Sequence, residues 1–204
     1  LTLQNRVLPT GEIIADPEHG TLMGNRGILH DDNRTLGKSR WKHHNWVTCL
    51  LSYKGRRRVL MSPGRYTELF FLDEATSLAA GHRPCGECRR DALASFRTAW
   101  TAAHGEADLK TIDRHLHHDR VTPGREQIRC RARPGDLPDG TFILFQGAPH
   151  LLHGESIYAF KTSGYHNSLT KPEHEVEVLT PACTVSALAN GYLPDFHESL
   201  HDLL

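Results

Sequence analysis

Apolar residues along this chain cluster in short runs and recur at helical spacing only in its middle. RDALASFRTAWTAAHG places Leu93, Phe96, Trp100 and Ala103 three or four apart, the period of one buried helix face, with Gly105 as the stop. DLKTIDRHLHHDRV repeats the pattern with Leu109, Ile112 and Leu116. Ahead of both, TELFFL predicts a short buried strand, and Asp73 is placed to N-cap a helix over DEATSLAAG that stops at Gly81. WVTCLLSYKGRRRVLM, Trp46 to Met61, reads as a β-hairpin turning near Lys54 and Gly55. TFILFQ, APHLLHG, SIYAFKTSGY and HEVEVLT, bounded by Gly or Pro, predict four short strands in a meander or half-barrel. PACTVSALANGY predicts a closing helix. Residues 1–40, rich in Gly, Pro, Asp and Asn, carry no sustained period and read as an extended arm with short strands. The expected class is α+β: this arm, a hairpin, strand and helix core over 41–134, and a β-rich C-terminal subdomain over 135–204 packed on the core.

Composition narrows the class further. At 204 residues the chain is long enough for one good core. No apolar run approaches the roughly 20 residues that span a bilayer, and the opening LTLQNRVLPTGEI lacks the basic and apolar regions of a signal peptide. Five cysteines at irregular spacing argue against a disulfide framework and for a reducing compartment, so a cytoplasmic protein is expected.

A net charge of zero conceals polarity. Residues 1–134 hold 22 basic and 15 acidic groups, a difference of +7; residues 135–204 hold 2 and 9, a difference of −7. Such asymmetry speaks to partners, self-association among them. From Arg34 to Thr67 there is no acid, while nine cations (Arg34, Lys38, Arg40, Lys42, Lys54, Arg56, Arg57, Arg58 and Arg65) interleave with Trp41, Trp46, Tyr53 and Tyr66. Phosphates need positive charge and bases stack on aromatic faces, so this stretch is the candidate nucleic-acid surface, with Lys54, Arg56, Arg57, Arg58, Arg65 and Trp41 as its contacts.

The segment LAAGHRPCGECRR holds Cys85 and Cys88 two residues apart. Such a turn brings two thiolates to one metal but supplies half of a tetrahedral set. A thioredoxin-like redox pair needs a strand before it, whereas the element predicted here is a helix. ELFFLDEATSLAAGHRPCGECRRD, Glu68 to Asp91, resembles the second half of the zinc-binding domain of Ada-type DNA methylphosphotriester repair proteins: a short strand, a helix ending in Ala-Ala-Gly, then Arg-Pro-Cys, two residues, Cys-Arg. The resemblance implies Cys85 and Cys88 as Zn2+ ligands. It covers about an eighth of the chain, and His82 stands where the family has an aromatic. The family's upstream cysteine pair is absent; Cys49 alone precedes the turn, as third ligand, and His82, His43 or His44 stands as fourth. Methyl transfer to a protein thiolate is therefore not expected. The wider chain resembles bacterial proteins that carry the same segment, which implies no activity.

Other constellations are weaker. His115, His117 and Asp119 spell H-x-H-x-D, as in metallo-β-lactamase-type hydrolases, but Arg120 follows where a histidine is needed and the context is helical. His166, Asn167 and His174 match His-Asn-His nucleases in residue type alone. LMGNRGILHDD offers Asn25, Arg26 and His30 in a glycine-flanked turn. Two functions follow as expectations. The first is a nucleic-acid-interacting protein, linked to DNA repair or modification, with a structural zinc. The second is an enzyme acting on a small molecule or nucleotide in a pocket between the arm and the β-rich part, using Arg26, His30 and His82 as catalytic candidates.

Overall fold

The computed structural model describes residues 2–55 and 59–204. Among the described residues two six-stranded sheets and five α-helices form an α+β fold. The first sheet takes β1 (Gln4–Val7), β2 (Ile13–Ala15), β3 (Leu22–Asn25), β4 (Val47–Leu50), β5 (Leu69–Phe71) and the two-residue β6 (Arg83–Pro84), in spatial order β2-β1-β5-β3-β4-β6. The second takes β7 (Cys130–Ala132), β8 (Phe142–Phe145), β9 (Ala148–His153), β10 (Ser156–Lys161), β11 (Gly164–Thr170) and β12 (Val176–Val178), ordered β11-β10-β9-β8-β12-β7. All its pairings are antiparallel, and β8 to β11 form a meander.

The short helix α1 (Glu74–Ala79) lies between the sheets with every residue buried. Asp73 caps it as expected, its Oδ1 accepting from Thr76 N at 2.9 Å. Ala75 and Ala79 meet Phe142, Leu151 and Tyr165 of the second sheet, Leu78 meets the other helices, and Ala80, just past its end, packs with Val7, Leu69 and Phe71 of the first sheet. Small residues let a buried helix approach both layers closely. Its polar groups are satisfied: Glu74 accepts from Tyr192 Oη at 2.5 Å and pairs with Arg89 at 2.8 Å, and Tyr165 Oη donates to Asp73 at 2.6 Å.

The amphipathic segments become α2 (Arg90–His104) and α3 (Leu109–Arg120), burying Phe96, Trp100, Ile112 and Leu116 against α4 (Ala182–Ala189). A single turn, α5 (Glu198–His201), closes the chain. Among the described residues no helix is long and apolar enough to cross a membrane.

Two expectations change. The hairpin over Trp46 to Met61 does not form among the described residues, because β4 already pairs with β3 on one side and β6 on the other. Both its edges are taken, so the chain leaves it through turns, and Met61 is buried at a φ of 51°. SIYAFKTSGY is two strands, not one: it folds back at Thr162 and Ser163, with Lys161 opposite Gly164 and a glycine φ of +141° that L side chains avoid.

Candidate functional site: a thiol cluster and an arginine cleft

Three thiols converge. The parallel pairing of β4 with β6 sets Thr48 beside Pro84, and Cys85 N donates to Thr48 O at 3.0 Å. Cys49 thereby stands next to the turn that carries Cys85 and Cys88. The three sulfurs lie within 4.8 Å of one another and are half-buried. Two backbone N–H groups point at them: Glu87 N to Cys85 Sγ at 3.3 Å and Leu50 N to Cys88 Sγ at 3.4 Å. The Cys49 thiol donates to Cys85. As acceptor, chiefly from Cys49, Cys85 is held down to about 5; as donor, Cys49 is pushed well above the usual thiol range. Burial pushes Cys88 up.

The cluster fits a metal that prefers thiolate. Tetrahedral sulfurs at a Zn–S distance of about 2.3 Å sit about 3.8 Å apart, within the observed spread, and the N–H···S bonds favour the deprotonated form a metal needs. These three cysteines are able to hold a metal ion. Among the described residues no histidine completes the set. His82 packs on Phe71 and Trp46, with ring centroids 4.7 and 5.3 Å away. His43 contacts Asn25 Oδ1 at 3.2 Å, and His44 stacks on His117 at 3.9 Å. Those three imidazoles belong elsewhere.

His43 and His44 line a separate pocket with Lys110, Asp113 and Arg114, and His82 lies beneath a cleft of about 760 Å³ between the N-terminal strands and the β-rich part, held there by Arg26. Thr10 to Ile13 line one wall and Arg129 to Arg131 with Glu177 another. At its floor lies the buried ring of Trp46, with the guanidinium carbon of Arg26 at 4.0 Å and that of Arg120 at 3.7 Å from its centroid. Both arginines are 2 % exposed. They reach back to the C-terminal end of α1: Arg120 Nη1 donates to Gly81 O at 2.7 Å, and Arg26 Nη2 to Ala80 O at 3.4 Å. Arg26 Nε donates to His82 Nε2 at 3.3 Å. Burial, then the neighbouring Arg40, brings Arg26 down to about 9. Burial, then Arg26 and Arg120, keeps His82 neutral, well below the usual imidazole range.

Of the catalytic candidates the fold brings Arg26 and His82 together and sends His30 elsewhere, its Nδ1 2.6 Å from Thr67 Oγ1 and its Nε2 3.3 Å from Ser62 O. Trp41 stands half-buried on the cleft wall, its ring 5.9 Å from that of Trp46. Lys54 and Arg65 are exposed, and Arg56, Arg57 and Arg58 lie outside the described residues. His115 and Asp119 meet only as helix neighbours at 4.0 Å, and no metal-ligating group forms around them, His166 or His174 among the described residues.

Sequence reading passed over Arg120. Its signal was present: Ile112, Leu116 and Arg120 recur every four residues, so the arginine falls on the buried face of α3. Comparison with protein-family models, curated proteins and solved structures finds no match to this chain.

Proposed function

We propose that this chain interacts with nucleic acid and holds a structural Zn2+ on Cys49, Cys85 and Cys88. One observation carries the reading. Arg34, Lys38, Arg40, Lys42, Lys54 and Arg65, all in the acid-free stretch, form no salt bridge with a described carboxylate. Unneutralised cations beside Trp41 have the chemistry that phosphate backbones and bases require. Zinc would fasten β4 to the turn after β6, fixing the root of the segment that carries Lys54 to Arg58. The Ada-like segment directs the reading toward DNA repair or modification.

The test is fluorescence anisotropy with single-stranded DNA, duplex DNA and RNA across a salt series. Affinity should fall steeply with salt, with a log–log slope of about −0.7 to −0.9 per phosphate contacted. Replacing Arg56, Arg57 and Arg58 by Ala should weaken binding evenly across sequences and flatten that slope. Affinity indifferent to salt and to the triple substitution would end the reading.

A second reading, an enzyme acting on a small molecule or nucleotide, is favoured by the cleft, which lies between the N-terminal strands and the β-rich part and carries both Arg26 and, beside it, His82. Turnover would require a general base: His82 is fully buried with its Nε2 lone pair taken by Arg26, so that role would fall to a carboxylate of the wall, Glu12 or Glu126.

A further inference from the structure

Two guanidiniums buried on one tryptophan ring are costly. Each loses its hydration, and each stays charged at neutral pH because arginine does not give up its proton there. Proteins offset that cost with a carboxylate. Among the described residues none is supplied. Asp113, the acid nearest Arg120 in electrostatic effect, is occupied in both oxygens by Arg83, at 2.7 and 2.8 Å. Neither Arg26 nor Arg120 forms a salt bridge with a described residue. Stacking on Trp46 stabilises each only modestly, short of what burying an unpaired charge costs.

The hydrogen-bond account is also incomplete. Each guanidinium has five N–H groups. Arg26 makes three bonds, all 3.3 to 3.4 Å long, and Arg120 makes three, to Gly81 O, His44 O and His117 Nδ1. Arg120 Nε is buried with no partner at all. Both side chains line the cleft, whose wall adds Arg40, Arg125, Arg129 and Arg131 against three acids, Glu12, Glu126 and Glu177. Six cations less three anions leaves an excess of +3, and Glu177 is itself spent on Arg129 at 2.8 Å. A cavity with surplus positive charge, unfilled donors and low-dielectric walls concentrates anions.

We infer that the cleft floor at Arg26, Trp46 and Arg120 is a binding site for the phosphate group of a phosphate ester. A doubly charged tetrahedral oxyanion matches two guanidiniums and their remaining N–H groups, as forked Arg–phosphate pairs do elsewhere. About 760 Å³ exceeds what inorganic phosphate fills, so the phosphate enters as the end of a larger molecule, whose remainder lies toward Arg40 and Trp41. This site is distinct from the exposed cations of the proposed nucleic-acid surface: it requires one compact dianion, not a backbone, and a free nucleotide or a strand end would each supply it.

The experiment titrates the full chain with inorganic phosphate, a nucleoside 5′-monophosphate and paired oligonucleotides with and without a 5′-phosphate, against chloride at equal ionic strength. Tryptophan fluorescence, to which Trp46 contributes alongside Trp41 and Trp100, and the thermal midpoint are read. Saturable quenching and a raised midpoint with phosphate, but not with chloride, are expected. Arg26→Lys and Arg120→Lys keep the charge and lose the fork, and each should weaken phosphate binding about tenfold or more, the scale of one charged hydrogen bond. Whether either variant folds is read from its circular dichroism; the wild-type titration stands if both fail. A monophosphate binding as tightly as the 5′-phosphorylated strand assigns a free nucleotide, and a tenfold preference for the phosphorylated strand over its unphosphorylated twin assigns a strand end. No saturable response to phosphate or to the monophosphate at tens of millimolar, equal responses to phosphate and chloride, or undiminished binding in folded lysine variants would each overturn the site. None of these outcomes depends on whether unphosphorylated oligonucleotides bind the exposed cations.

Discussion

Arg83 and Asp113 form a two-pronged pair: Nε reaches Oδ1 at 2.7 Å and Nη2 reaches Oδ2 at 2.8 Å, with the side chains 6 % and 10 % exposed. The pair joins the residue two places before Cys85 to the middle of α3, so the thiol turn is tied to the helical layer as well as to β4.

Breaking that pair from one side should be severe. Asp113→Ala strands a buried guanidinium and is expected to cost about 3–5 kcal/mol in urea unfolding. Asp113→Leu combined with Arg83→Met should recover a large part of the loss, since it removes both charges. A single substitution costing no more than a surface change, under about 0.5 kcal/mol, would show the pair to be dispensable.

Gly81 is held to glycine twice over. Its φ is +80°, and a Cβ there would lie 2.5 Å from Arg120 Cδ and 2.9 Å from Arg120 Cβ. Gly81→Ala should therefore lose about 1–3 kcal/mol of stability and shift the emission of Trp46, over which Arg120 lies. A variant as stable as the parent with unchanged emission would contradict this packing.

Three histidines predict acid sensitivity. His43, His82 and His117 are all pulled below the ordinary imidazole value of 6.5, first by burial and then by nearby arginines, His117 to about 4. The unfolded chain binds these protons more readily than the folded one. Their contribution is thus fully present above pH 6.5 and is lost as pH falls toward about 4. His82, fully buried, should dominate; His117 is partly exposed and counts for less. Urea midpoints should fall between pH 7 and pH 5, and the imidazole signal of His82 should titrate well below the ordinary imidazole range. An unchanged midpoint across that interval would refute the assignment.

The thiol cluster predicts metal content. Zn2+ should co-purify at about one ion per chain, and Cys85→Ser or Cys88→Ser should abolish most of it. Cys130→Ser, at an exposed cysteine outside the cluster, should not. Chelation should lower the thermal midpoint, by the equivalent of roughly 4 kcal/mol where free zinc had exceeded the dissociation constant a thousandfold. Elemental analysis that finds no metal after expression in zinc-supplemented medium would remove the centre.

The sequence by itself determined the local elements. Asp73 capping α1, the stops at Gly81 and Gly105, the apolar faces of α2 and α3 and the strands of the meander all depend on neighbours within a few residues, and periodicity records them. It also marked Cys85 and Cys88, because two thiols on one turn need no tertiary contact to be close. Tertiary structure decided the rest. Cys49 joins that turn only because β4 pairs in parallel with β6, from 36 to 39 residues away, and the same pairing closes β4 to the return strand that its composition had suggested. Arg26 and Arg120 are 94 positions apart and carry no shared motif. They meet because the first sheet and α3 both press on the end of α1, and whether a buried arginine has a carboxylate opposite it is a property of packing, which no window of sequence contains.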